Sequence, residues 1–263
     1  MSDPVLVASG LRKTFGDFTA VDDVSFSIPA GGSLAIVDES GSGKITIAKM
    51  SVGLERLTAG SILACGNDRS RPARSSRDRR RRGSEVQIVF QDPYTSLDPR
   101  QSAADAIDEV LRLHSDLTPA ARGARVAELC SLVGLDDRQS RALPRSLSGG
   151  QRQRVAIARS LAAEPRILIL DESVAALDVS IQAQVLNLLA DIRDQTGVSY
   201  ILISHDLAVV RQLAEQIIVL WQGQIIEQGQ TGEILDNPHH EYTQRLRASV
   251  PRPGWKPTRK IAS

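Results

Sequence analysis

The chain has 263 residues, 41% of them hydrophobic, enough for one large domain or for a core carrying an inserted subdomain. Its 32 Lys and Arg against 31 Asp and Glu exclude charge-driven binding to nucleic acid or a membrane over the chain as a whole, so any basic surface is local. Cys65 and Cys130 stand alone, which argues against a disulfide framework or a thiolate metal site and points to a reducing compartment.

The N-terminal MSDPVLVASG has no basic region ahead of a long apolar core, and no apolar run approaches the roughly 20 residues that span a bilayer. The expectation is a soluble chain that meets a membrane only through partners. Pro4 to Ile28 alternates short β-like runs with polar turns at Gly16-Asp17 and Pro29 to Gly32, predicting antiparallel strands beside the strand that follows. Phe15 falls in the first turn. Aromatic residues are 3% of the chain, so one in a loop is a candidate for stacking on a base, the alternative being a core plug.

Leu34 to Met50 reads LAIVDESGSGKITIAKM: an apolar run, an acidic pair, Ser40-Gly41-Ser42-Gly43-Lys44, then a helix-compatible segment. Glycines let consecutive backbone N–H groups converge on phosphate oxygens, the following helix presents its positive end, and Lys44 can reach terminal phosphates. The stretch is an imperfect copy of G-x-x-x-x-G-K-[ST]. Asp38 stands where the first glycine belongs, and Ile45 where a hydroxyl would hold Mg²⁺. Asp38 either faces the phosphates and repels them or turns toward Lys44 or solvent, and Thr46 offers a substitute hydroxyl if the loop shifts.

Ser61 to Ala64 reads as a strand, and Arg69 to Arg82 as an arginine-dense solvated loop without the interleaved aromatics of a nucleic-acid patch, the alternative being contact with phosphate or lipid. Glu85 to Phe90 is a strand ending at Gln91-Asp92-Pro93-Tyr94. Residues 102–133 carry apolar positions at helical spacing, an inserted helical subdomain that Pro144 ends. Leu147 to Gln151 is then a second glycine-containing turn before a helix over Arg152 to Ala163, a second potential anion site. Ile167 to Leu170 is a buried strand ending in Asp171-Glu172; one carboxylate can bind Mg²⁺ through water while the next polarises an attacking water. Ile181 to Thr196 is an amphipathic helix stopped by Gly197, and Ser199 to Ser204 a buried strand ending in His205, where α/β sheets bind ligands. A hairpin around Gly223, a short helix near Glu233, a last helix from His240 to Val250 and a loose tail over 251–263 complete the chain.

The ordered set resembles the ATP-binding subunit of ABC transporters over nearly the whole chain. Leu147 to Gln151 (LSGGQ) is similar to the family signature and Ile167 to Glu172 to its Walker B strand. Gln91 matches the Q-loop, Ala176-Leu177-Asp178 the D-loop, His205 the switch histidine and Phe15 the base-stacking aromatic, six motifs in the family's order. VFQDPYTSLDPR at 89–100, SVAALDVSIQAQVLNLL at 173–189 and NPHHEYTQRL at 237–246 are similar to the dipeptide, oligopeptide and nickel importers. Clustered C-terminal cysteines found in some of those members are missing after Cys130, so no iron-sulfur cluster is expected. Ser173 and Val174 replace the usual Pro-Thr after Walker B, read as packing changes.

The resemblance implies an α/β P-loop NTPase (RecA-like) core with an N-terminal antiparallel β subdomain and an inserted helical subdomain. The expected boundaries are an ATPase domain over 1–246 with the helical insert at about 92–160, and an importer-type extension over 230–250. It implies ATP and Mg²⁺ as cofactors. Nucleotide contacts fall to Phe15, Glu39, Ser40, Gly41, Ser42, Gly43, Lys44, Ile45, Thr46 and Asp171, with Ser148, Gly149, Gly150, Gln151 and Asp178 serving a nucleotide held by a second chain. Gln91 and Asp171 would hold the metal; Glu172 would activate water, with His205 on the γ-phosphate and Gln91 relaying the change. The implied partners are a second, different ATPase chain, two membrane permease subunits and, indirectly, an extracytoplasmic binding protein, with the chain peripheral on the cytoplasmic face and no nucleic acid bound. With its own loop damaged, the chain is expected to be one half of an asymmetric ATPase pair. The competing readings are a non-hydrolysing structural or regulatory subunit and a soluble ABC ATPase outside transport.

Overall fold

The computed structural model describes residues 3–38, 41, 43–92, 96–174 and 177–248. Ten described strands form two sheets. The smaller, in the order β2-β1-β4-β5, is antiparallel and built from β1 (Pro4–Phe15), β2 (Phe18–Pro29), β4 (Ala59–Ala64) and β5 (Asn67–Asp68). The larger runs β10-β9-β3-β8-β7-β6 and comprises β3 (Ser33–Val37), β6 (Val86–Val89), β7 (Ile167–Asp171), β8 (Ser199–Ile203), β9 (Gln216–Trp221) and β10 (Gln224–Gln230). Its strands are parallel except β10, which returns antiparallel to β9 through Gln222-Gly223, both at positive φ as a two-residue hairpin turn requires. The N-terminal strands are therefore antiparallel as expected, yet they lie in their own sheet and not beside β3.

The central strands β3, β7 and β8 are buried along their whole length, which is why Leu34–Val37, Ile167–Leu170 and Tyr200–Ile203 within them are apolar runs. One face of the large sheet packs with α1 (Lys44–Val52) against the small sheet, joining Ile36, Ile169 and Ile203 to Leu6, Leu11 and Ile28. The other face packs α6 (Gly149–Leu161), α7 (Val179–Thr196) and α8 (Leu207–Leu213), and the same cluster runs into α3 (Ala103–His114) and α4 (Pro119–Leu132) through Ile107 and Leu129. It also takes in Ile234 and Leu235 of α9 (Thr231–Asp236) and Tyr242 and Leu246 of α10 (Glu241–Ala248), the last helix, whose expected final residues lie outside the described ones. A single-turn α5 (Asp137–Ser140) and a 3₁₀ turn at Pro144–Ser146 lead into α6. Val174 is buried in this cluster.

Two local readings of the sequence need correcting. The arginine-dense stretch ends in a helix, α2 (Ser76–Glu85), and is not all loop. Ser75 caps its N-terminus by accepting from Asp78 N–H at 3.1 Å, and Asp78 pairs with Arg81 and Arg82 one turn on. Arginine is a good helix former, so a capped run of it folds once acids sit at i−3 and i−4. The second change is at the signature, where α6 starts at Gly149 and not Arg152, because Ser148 and Gln151 form a reciprocal capping box that draws both glycines into the first turn.

Candidate nucleotide site

Strand β3 leaves the core at Asp38, which is fully buried. Gly43, at φ +104, is the N-cap of α1, and a Cβ there would overlap the Ala20 carbonyl of β2, so only glycine fits. Lys44 opens the helix with 5% exposure. Its ammonium makes an ion pair with Asp38 Oδ1 and lies 3.3 Å from the Asp38 carbonyl oxygen. Glu172 Oε1 is 4.0 Å away. Asp38 thus turns toward Lys44, and the ammonium is engaged by its own strand end. Ile45 is 44% exposed, an apolar side chain in the first turn, and Thr46 is half-buried beside it. Gly41 has φ +99, whereas Glu39, Ser40 and Ser42 lie outside the described residues.

Because β8 lies between β3 and β7, their C-terminal ends open at one edge and deliver Asp171, Glu172 and His205 beside Lys44. Asp171 is buried, and its Oδ1 has no hydrogen-bond partner among the described residues. Burial, and then the Glu172 carboxylate, raise the Asp171 carboxyl above its ordinary value, with Lys49 and Lys44 opposing. An orphaned, desolvated carboxylate of this kind suits a hydrated divalent cation. Asp171 and the exposed Gln91, which follows the neighbouring strand β6, are the residues that would hold Mg²⁺; Ile45 offers no oxygen. Among the described residues no group of three or more His, Cys, Asp and Glu is placed to hold a metal alone, so phosphate and water would supply the other ligands.

Glu172 sits at φ +44, fixed there by its N–H bond to the Ile203 carbonyl at 2.9 Å. Such a conformation costs about 1–3 kcal/mol for a non-glycine residue, and here it aims the carboxylate across the strand ends. Its Oε1 lies 3.2 Å from Nδ1 of His205, which is itself 57% exposed. A carboxylate beside an exposed imidazole can accept a proton from water and orient the ring.

The signature residues are held elsewhere. Ser148 and Gly149 are exposed at the open N-terminus of α6, braced from behind by Arg152, which donates to the carbonyls of Pro144 and Leu147. A Cβ on Gly150 would overlap Ile181 of α7, and Gly149 lies near Leu177. Asp178, exposed, precedes α7, whose first residue Val179 is 82% exposed; Ala176 lies outside the described residues. Phe15 is 47% exposed at the end of β1, with the Lys13 ammonium 4.6 Å from its ring centroid. The sequence did not mark Lys13 or Lys49 as neighbours of the site, although each lies at fixed spacing from a motif residue: two before Phe15, five after Lys44.

The family profile described as ABC transporter matches residues 21–175, more than half the chain. The chain belongs to the ABC transporter family. This cassette is 46% identical over 243 residues to the oligopeptide transport ATP-binding protein OppD of Mycobacterium tuberculosis, covering 92% of the cassette and 39% of OppD. It is 49% identical over 235 residues to a putative peptide import ATP-binding protein of Brucella abortus, covering 89% of the cassette and 70% of that protein. Among solved structures, CbiO1 from Clostridium perfringens, part of the CbiONQ transporter, superposes with a TM-score of 0.80 at 27% identity over 96% of the cassette and 98% of CbiO1. The cassette thus spans about two fifths of OppD's length. Among the described residues no helix is long and apolar enough to cross a membrane.

Proposed function

We propose that the chain is the ATP-binding subunit of an ABC importer of the peptide class, paired with a different ATPase chain, and that its own P-loop is the weak site of the pair. The observation that carries this is the buried ion pair between Lys44 and Asp38. A P-loop lysine acts by offering an unspent positive charge to the β- and γ-phosphates. Here that charge already has a carboxylate at contact distance, and the hydroxyl that would steady Mg²⁺ is an isoleucine side chain. Loss of one charge-assisted metal contact alone is worth about 1.5–3 kcal/mol, so weakening by one to two orders of magnitude follows before the phosphates' repulsion by Asp38 is added.

The signature turn carries no such damage. Its exposed helix N-terminus, capped and braced, is suited to phosphates brought by a second chain. In the pair, Ser148 to Gln151 would complete the partner's site, while Glu172 would accept a proton from the attacking water at this chain's site and His205 would hold the γ-phosphate. Mg²⁺ when bound supplies charge neutralisation to the phosphates. Peptide import is the activity in the names of the relatives; two membrane permease subunits as partners, and a peripheral place for this chain on the cytoplasmic face, follow from the same reading, with the helical insert, 92–160, as the docking element.

The test compares two variants in the copurified transporter. Ser148→Arg should abolish most ATPase activity by blocking the partner's site. Lys44→Ala would strand the Asp38 charge, so the loop is disabled with Asp38→Asn and Lys44→Met together, which should cost little activity. The opposite ranking would mean that the altered loop is the working site. Failure of the chain to copurify with membrane subunits would favour a soluble role.

A further inference from the structure

Behind the P-loop helix, between the C-terminal end of α1 and the segment leading into α2, the fold forms a partly open cleft of about 580 Å³. Five arginines line it, Arg56, Arg69, Arg71, Arg79 and Arg82, against a single carboxylate, Glu55. Glu55 is already engaged by Lys13 at 2.6 Å. Arg69 and Arg82 have carboxylate partners outside the lining, Glu85 and Asp78, whereas among the described residues Arg56, Arg71 and Arg79 form no ion pair, and cationic side chains left together repel one another unless an anion joins them.

Arg69 is the most telling of the five. It is 5% exposed, and its Nη2 donates to Glu85 Oε2 at 2.6 Å and to the Arg82 carbonyl at 3.1 Å. Its Nε and Nη1 are buried without a hydrogen-bond partner among the described residues. Buried guanidinium donors are rarely left unmet. Arg82 is committed to the wall of the cavity through Asp78 and the carbonyls of Arg71 and Asp68. Arg56, Arg71 and Arg79 approach from exposed positions, and among the described residues the Arg79 side chain donates to the Ser76 hydroxyl at 3.1 Å. Among the described residues the lining carries no aromatic ring on which a base could stack. Forked, always-charged donors around a chamber of this size match phosphate oxygens.

We propose that this cavity is a further anion site, separate from the P-loop and the signature turn, that takes a phosphate-bearing ligand. Arg69 is its buried anchor, and Arg71 and Arg79 close over the ligand. The same chemistry comes from a free polyphosphate or from a lipid headgroup.

The test uses the full chain in which Asp38→Asn and Lys44→Met remove the P-loop contribution. Pyrophosphate is titrated calorimetrically at low salt, and phosphatidylglycerol and phosphatidylcholine vesicles are compared by flotation. Saturable 1:1 pyrophosphate binding is expected, weakened at least about tenfold by Arg71→Ala with Arg79→Ala, two exposed positions whose loss leaves the fold intact. Arg69→Met should act in the same direction; if that variant unfolds, the Arg71 and Arg79 pair decides. Binding to phosphatidylglycerol vesicles alone, lost in the same pair, assigns the ligand to a headgroup, and pyrophosphate binding alone assigns it to a free anion. Absence of both, or binding that survives the double replacement, overturns the site.

Discussion

The Lys44 ammonium and the Asp38 carboxylate pair inside the protein, with 5% and 0% of their side chains exposed, at the point where the P-loop should leave both lysine and space open to phosphate. One residue of the motif is thus the counter-ion of another. Two partners that neutralise each other in a buried site are held by mutual need, and removing either exposes the energy of the arrangement.

Asp38→Gly together with Ile45→Ser should restore the motif and raise affinity for Mg-ATP by roughly two orders of magnitude, the sum of a freed lysine and a regained metal ligand. Titration with a fluorescent ATP analogue measures it. An unchanged affinity would place the defect outside these two positions.

Lys44→Ala should destabilise the chain by about 3–5 kcal/mol, since it leaves a carboxylate buried without compensation. Adding Asp38→Asn should return most of that loss. Urea denaturation of the single and double variants gives the coupling directly, and additive effects would mean that the pair is not a functional ion pair.

Gly150→Ala should cost about 1–3 kcal/mol, because its Cβ would overlap Ile181, and a compensating Ile181→Ala should recover part of it. The same substitution should reduce ATPase activity in the paired complex by displacing α6 from α7. Unaltered unfolding of Gly150→Ala would show that the two helices adjust at no cost.

Glu227 accepts from the His239 and His240 N–H groups at 2.8 and 3.3 Å, tying the C-terminal segment to β10. Burial on its own would raise this carboxyl, but the His239 N–H, the Thr243 side chain and the His240 N–H, with the charge of His239, together outweigh it and hold the group below its ordinary value. A depressed folded value means that the stabilisation is complete above the unfolded pKa of about 4.3 and is lost as pH falls through the folded one. Hydrogen exchange over 238–248 should therefore accelerate, after correction for intrinsic rates, as pH falls below about 4.3, and Glu227→Gln should flatten that change.

The strand ends that build the site are legible because a fully buried parallel strand is dominated by apolar residues, and a polar residue at its carboxyl end lies at the sheet's edge: Asp38 and Asp171 directly follow their apolar runs, and His205 lies one residue further on, after Ser204. Which way Asp38 turns was not legible, since that depends on how Lys44 packs in three dimensions. The start of α6 was misjudged because glycines read as turn residues until Ser148 and Gln151 cap them. The α2 helix was hidden by its charge, as no apolar periodicity accompanies a helix with no buried residue. Its support is local, from a cap and ion pairs. The separation of the two sheets depends on long-range pairing that alternating patterns do not encode.

Gly43 meets the Ala20 carbonyl so closely that the small sheet itself forbids any other residue there. A lineage that ceased to bind nucleotide would still inherit this glycine, because replacing it would push β2 away from the loop. The letters of a phosphate-binding motif are therefore under two separate constraints, one from architecture and one from chemistry. In this chain the positions that depart from the phosphate-binding pattern are 38 and 45, while Gly43, held by the small sheet, keeps it.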